Sequence, residues 1–308
     1  MHSLSLFAGS APQFSLTKHR RSHQRSVIAV KATAAPVKEE QVDLTVNAPT
    51  PSASITTTTT KASTTTSGRV VLESEDELRS TWEQRVWVAG TTVLLATTLS
   101  NGISHIDLNC PTDLLSSGSA IFLAYLLSDL GTGVYHWGVD NYGNGKTPFF
   151  GSQIAAFQGH HQRPWTITER EFSNNVHKVF RPAAAPAALL LASSYFTPAV
   201  WSIWSSTFLF LACMSQQFHA WSHMKKSKLP GVVVQLQDAG MLISLKQHGA
   251  HHKPPFEGNY CIVSGWWNPL LDNSGVFRIM EDVVYKVWGV EPRCWNELED
   301  DWKELERN

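Results

Sequence analysis

Nine of the thirteen histidines fall between His136 and His252, in short clusters that flank apolar segments. In chain order they are His136, His160, His161, His177, His219, His223, His248, His251 and His252. Whatever fold this chain adopts has to account for that many imidazoles at segment ends. Neutral imidazole is the commonest metal-binding side chain, so a fold that gathers the clusters makes a metal site.

The apolar segments say how the gathering happens. A bilayer core about 30 Å thick needs roughly 20 apolar residues of helix. Residues 86–103 and 115–137 meet that need, and 183–196 and 200–218 form a second pair broken at Thr197-Pro198. Pro182 and Pro186 at the start of the third segment predict a kinked or partial span. The fold class expected is therefore all-α, an integral membrane helical bundle of about four transmembrane helices. The competing reading, a buried soluble bundle, asks for a polar face that these segments lack.

Four spans make two hairpins, so the end of the second, the start of the third and the end of the fourth share one side. His136, His177, His219 and His223 sit at those places, and His160 and His161 lie in the connection on the same side. Arg163, Arg170, Lys178, Arg181, Lys225, Lys226 and Lys228 also lie there, whereas connections 104–114 and 197–199 hold no Lys or Arg. The positive-inside rule then puts a histidine-rich cap on the cytosolic or stromal side. Residues 231–245 read as an amphipathic or re-entrant helix, and 281–308 as a soluble helical cap.

Ahead of the spans the chain changes character. No acid precedes Glu39, while Lys18, Arg20, Arg21, Arg25 and Lys31 stand among many serines. Residues 1–30 are thus expected to be a plastid transit peptide, with a mitochondrial leader as the rival. The Thr- and Ser-rich stretch 31–80 is expected to be a disordered linker, leaving 81–308 as the membrane domain. A formal net charge of -1 excludes the basic excess of a nucleic-acid binder. The four cysteines form no C-x-x-C pair and read as packing residues.

Within the cap, His219 and His223, and His248 and His252, share helix faces at a spacing of four, with His251 beside the second pair. Asp129 and Asp140 can line one stripe with His136, and each is a candidate ligand or a partner that orients an imidazole. His105 falls on the opposite side and reads as structural. The zinc-protease pattern His-Glu-x-x-His is absent, and so many imidazoles exceed a closed four-ligand zinc site. The set suits two metals, with iron favoured for oxidative work at a membrane.

The segments DLGTGVYHWGVD (129–140), QGHHQRP (158–164), QFHAWSH (217–223) and HGAHHKPPFEGNYCIVSGWWN (248–268) carry a resemblance. The chain resembles the plant plastidial type-4 fatty acid desaturases and, more distantly, the animal plasmanylethanolamine desaturases. The resemblance implies two irons (Fe), O2 and two electrons, supplied in plastids by ferredoxin. It also implies a trans double bond near the carboxyl end of palmitate in phosphatidylglycerol, in a chloroplast membrane such as the thylakoid. The chain departs from commoner membrane desaturases, which begin with His-x-x-x-His, because Asp140 stands where the second histidine would be. Tyr260, Trp266, Trp267 and Asn268 match the motif but have no role derivable from spacing. A hydroxylase on the same metals, and a membrane metal transporter or store, are the alternatives.

Overall fold

The computed structural model describes residues 75–296. The expected transit peptide, most of the expected linker and the end of the C-terminal cap lie outside the described residues. Four long helices dominate. After the single turn α1 (Glu75–Leu78) come α2 (Trp82–Ser104) and α3 (Pro111–Asn141); α4 (Gly151–His160) is short. Helices α5 (Phe172–Ser193) and α6 (Ala199–Ser222) complete the set. Short helices α7 (Gly231–Asp238), α8 (Leu245–His251) and α9 (Asn268–Ser274) and the longer α10 (Val276–Trp288) follow. No strand occurs among the described residues, and the fold is all-α as expected.

Local chemistry sets the helix ends. Thr81 Oγ1 accepts from Gln84 N at 3.3 Å while Gln84 Oε1 accepts from Thr81 N at 2.9 Å, a capping box that starts α2. The connections 105–110 and 194–198 are short, so α2 and α3, and α5 and α6, run antiparallel. Helix α2 packs on α5 and α6, and α3 packs on α6.

The packing is inverted relative to a soluble bundle. Small and hydroxylated residues are buried between helices, among them Thr91, Thr98, Ala120, Ala124, Ser202 and Ser206. Large apolar side chains face outward, including Val93, Leu115, Phe122, Leu189 and Phe210. Ser206 bonds back to Ser202 O of its own helix at 2.6 Å, while Thr91 Oγ1 donates across to Phe180 O of α5 at 3.0 Å. A Cβ at Gly102 would lie 3.0 Å from Ile203 Cγ1 and 3.1 Å from Ala199 O, which shows how closely α2 and α6 approach. Helices α2 and α3 are long and apolar enough to cross a membrane by length and composition. Helices α5 and α6 are of similar length, 22 and 24 residues.

Helix α5 starts well before the expected third segment. Its first turns, Phe-Ser-Asn-Asn-Val-His-Lys, are polar and hid the helix from a hydropathy reading. Residues 75–80 of the expected linker dock on it: Asn174 Nδ2 donates to Glu77 O at 2.9 Å and Arg79 O at 3.0 Å. Pro182 lies inside the helix and cannot donate to Lys178 O. Gln153 Nε2 supplies that missing donor at 3.1 Å, so α4 repairs a break that the proline makes in α5.

A glycine controls how the last loop meets α3. A Cβ built at Gly133 would lie 2.3 Å from Cys261 Sγ, and its next contact is Cys261 N at 3.4 Å. Gly133→Ala should therefore destabilise the protein by roughly 1–3 kcal/mol through overpacking. Adding Cys261→Ala removes the clashing sulfur and should restore most of that loss. Thermal unfolding of both variants in detergent checks this; an equally unstable double variant would locate the problem elsewhere.

Candidate metal centre

The ends of α3 and α6, the end of α4 and the whole of α8 meet at one end of the bundle. Antiparallel topology delivers the first two, and short connections fold the others over them. Eight of the nine singled-out histidines converge there with one carboxylate. They form two groups whose ligand atoms lie within 4.8 Å of one another: His160, His219, His223, His248 and His252 in one, and His136, Asp140, His161 and His251 in the other. The groups adjoin, since the His136 and His219 rings are 5.6 Å apart and those of His251 and His252 5.3 Å.

Inside each group nitrogen faces nitrogen. His160 Nε2 lies 2.9 Å from His223 Nε2, His161 Nε2 lies 3.0 Å from His251 Nε2, and His252 Nε2 lies 3.1 Å from His248 Nε2. Asp140 Oδ2 stands 3.2 Å from His136 Nε2 and 3.3 Å from both His161 Nε2 and His251 Nε2. Two of the tautomers are fixed by backbone. His136 Nδ1 is 2.9 Å from Tyr260 O, and His251 Nδ1 is 2.9 Å from Gly258 O. A carbonyl only accepts, so each Nδ1 donates, and in the neutral ring Nε2 then presents a lone pair. Lone pairs and a carboxylate aimed at one point repel unless a cation lies between them.

Burial raises the cost of that repulsion. His136, His219, His248 and His251 are almost wholly shielded. His136 Nε2, both ring nitrogens of His219 and both Asp140 oxygens are buried with no hydrogen-bond partner. Such orphaned groups cost about 1–3 kcal/mol each unless something satisfies them. Burial, reinforced by neighbouring imidazoles, holds His160, His248 and His252 well below the usual histidine range and pushes His223 down to about 3. These rings stay neutral at physiological pH, the state that binds metal. The donor set, imidazole with one carboxylate, fits first-row transition metals and does not fit the oxygen-only preference of calcium or magnesium.

Two of the candidate residues lie outside these groups. His177 is half-buried on α5, with Nδ1 2.8 Å from Asn174 O. Asp129 is fully buried, and Oδ1 accepts from Val263 N, Ser264 N and Gly265 N at 3.0, 2.8 and 3.0 Å. It anchors the loop that carries Tyr260 to α3. His105 sits at the far end, exposed, 2.7 Å from Asn101 O.

The aromatic run that had no derivable role belongs to that loop. Trp267 Nε1 donates to Leu126 O at 2.8 Å, and Trp266 Nε1 donates to Gly240 O at 2.6 Å. Asn268 clips Cys261 through both of its backbone groups, at 2.8 and 3.2 Å. Tyr260 presents its carbonyl to His136 and donates its hydroxyl to Phe256 O at 2.8 Å. Tyr260 thus meets His136 through its backbone carbonyl, and Trp266, Trp267 and Asn268 brace the loop that carries it, roles that side-chain chemistry in the sequence could not reveal.

A lipid desaturase domain matches residues 125–295, which contains every member of both groups. Fatty acid desaturase 4, chloroplastic, of Arabidopsis thaliana is 47% identical over 225 residues, covering 73% of this chain and 68% of that protein. Fatty acid desaturase 4-like 1, chloroplastic, of the same plant is 43% identical over 239 residues, covering 75% and 77%. Plasmanylethanolamine desaturase 1 of Mus musculus is 31% identical over 177 residues, covering 55% of this chain and 65% of its own length. No solved structure matches the chain. With the matched domain spanning more than half of the chain and enclosing the whole histidine centre, the protein belongs to the lipid desaturase family.

Proposed function

We propose that the protein is an O2-dependent, di-iron acyl-lipid desaturase of a chloroplast membrane such as the thylakoid. Its substrate is palmitate in phosphatidylglycerol, where it introduces a trans double bond near the carboxyl end, with ferredoxin as electron donor. The observation that carries the reading is the pair of adjoining, buried ligand groups built from eight imidazoles and one carboxylate. The chloroplastic relatives and the outward-facing apolar surface support the compartment and a multi-pass arrangement. Residues 1–30 fit the same picture as a transit peptide, and 31–80 as the linker to the membrane domain.

Two irons held by these residues would supply the O2 activation needed to remove hydrogen from an unactivated methylene. The chain's own residues supply the rest. Tyr260 O and Gly258 O fix His136 and His251 with Nε2 inward. Asp140 adds the one negative charge to the group of three imidazoles, so the two groups differ in charge as well as ligand number. Burial keeps bulk water from the reacting face. Loop 258–268, which carries both carbonyls, is held by Asp129 of α3 and by the internal clip of Asn268 on Cys261.

Expression of the full chain in a host that makes phosphatidylglycerol and supplies plant-type ferredoxin tests the reading. The expected product is a 16:1 trans acyl chain in phosphatidylglycerol, with galactolipids unchanged. A hydroxylated chain would assign a hydroxylase instead. Unsaturation mainly in a galactolipid would keep the desaturase and overturn its substrate.

A further inference from the structure

The histidine end of the bundle holds a cavity of about 310 Å³, and His160 and His219 of the five-histidine group are part of its lining. It is of the size that takes part of a small ligand. Phe157, Ile167 and Val179 make an apolar share of the wall. Three bases, Arg163, Arg170 and Lys178, also line it, against one acid, Glu169. The wall is built rather than fortuitous: Asn175 Nδ2 donates to Gln216 O at 3.0 Å, and Gln153 Nε2 to Lys178 O at 3.1 Å.

Among the bases Arg163 stands apart. Arg170 Nη1 donates to Asn174 Oδ1 at 2.8 Å. Arg163 Nη1 is buried and has no hydrogen-bond partner. Bases that serve only to orient a membrane protein remain in water or among headgroups, where burial costs nothing. A shielded guanidinium nitrogen beside an amphipathic cavity is costly unless an acceptor enters. The guanidinium fork matches the paired oxygens of a phosphate group.

We propose that Arg163 binds the phosphodiester of the substrate lipid in this cavity, and so decides which headgroups bring their acyl chain to the edge formed by His160 and His219. The proposal rests on the lipid-desaturase reading above and adds to it the residue that reads the headgroup.

The test uses the full-length, iron-loaded protein with ferredoxin and a reductant. Vesicles of dipalmitoyl phosphatidylglycerol are compared with vesicles of a dipalmitoyl galactolipid. Arg163→Gln should raise KM for phosphatidylglycerol about tenfold, with kcat and iron content largely kept, as expected for loss of a charge-assisted bond. The preference over galactolipid should fall by a similar factor, and Arg163→Lys should recover part of it. An unchanged preference in Arg163→Gln overturns the proposal.

A second measurement needs no variant. Phosphatidylglycerol vesicles should protect Arg163 of the wild-type protein from phenylglyoxal, read by mass spectrometry, and galactolipid vesicles should not. Equal protection by both overturns the proposal. Full protection by inorganic phosphate, with none added by the lipid, overturns the headgroup assignment in favour of free phosphate. A wild-type protein that desaturates neither lipid counts against the proposed function, whereas the protection assay judges Arg163 independently of turnover.

Discussion

His219→Ala is expected to abolish desaturation while the protein still accumulates in the membrane. His219 is 1% exposed, and both of its ring nitrogens lack a partner within the protein. Its ring lies 4.5 Å from that of His160 and 4.4 Å from that of His248, at the middle of the five-histidine group. Loss of a residue that merely orients a ligand costs roughly 10–100-fold in metal affinity or activity, so loss of a ligand should exceed that range. His177→Ala makes the sharp comparison. Its imidazole is tied to Asn174 O and belongs to neither group, so this variant should keep its metal and most of its turnover. Iron content and product formation measured on both variants check the pair. Full activity in His219→Ala, or metal loss in His177→Ala, would redraw the centre.

Asp129→Asn is expected to lower stability by an amount on the order of 3 kcal/mol, because hydrogen bonds to a charged group are worth about 1.5–3 kcal/mol each. One carboxylate oxygen serves three consecutive backbone N–H groups, from Val263 to Gly265. The other is 3.5 Å from Trp267 N. An amide keeps one acceptor but loses the charge, and its NH2 turns a donor toward a donor. The damage should spread to the metal centre, because the same loop presents Tyr260 O to His136. Thermal unfolding in detergent should show a lower midpoint with reduced iron retention. A wild-type midpoint would mean that the cradle adds nothing to stability.

The two aspartates show where the sequence stopped being informative. Both share a helical stripe with His136, seven residues before it and four after. Asp140 reaches three imidazole nitrogens, whereas Asp129 meets a loop more than 130 residues away. Helical spacing reports the face but not the long-range partner. His177 repeats the lesson, since it lies at the correct end of the bundle but turns its ring into its own helix. By contrast, the His219/His223 and His248/His252 pairs were legible, because a spacing of four fixes a shared face whatever surrounds it.

The helices divide in the same way. Helices α2 and α3 announce themselves by continuous apolar runs. The first turns of α5 do not, because Asn174 and Asn175 are polar for reasons of docking: they bond to residues 77 and 79 and to the end of α6. Pro182 signalled a break that Gln153, 29 positions earlier in the chain, repairs. Hydropathy and proline rules read local cost, and here the compensation is tertiary.

The eight imidazoles and Asp140 are expected to hold two irons as one centre. Metal analysis of the full-length protein, reconstituted anaerobically with ferrous iron and freed of loose metal, tests it most directly, with Asp140→Asn measured in parallel. Close to two irons per chain are expected in the wild type, with selective loss from the four-ligand group in the variant. A wild-type stoichiometry that stays at one iron or none, or that is satisfied by zinc in an active preparation, would contradict it.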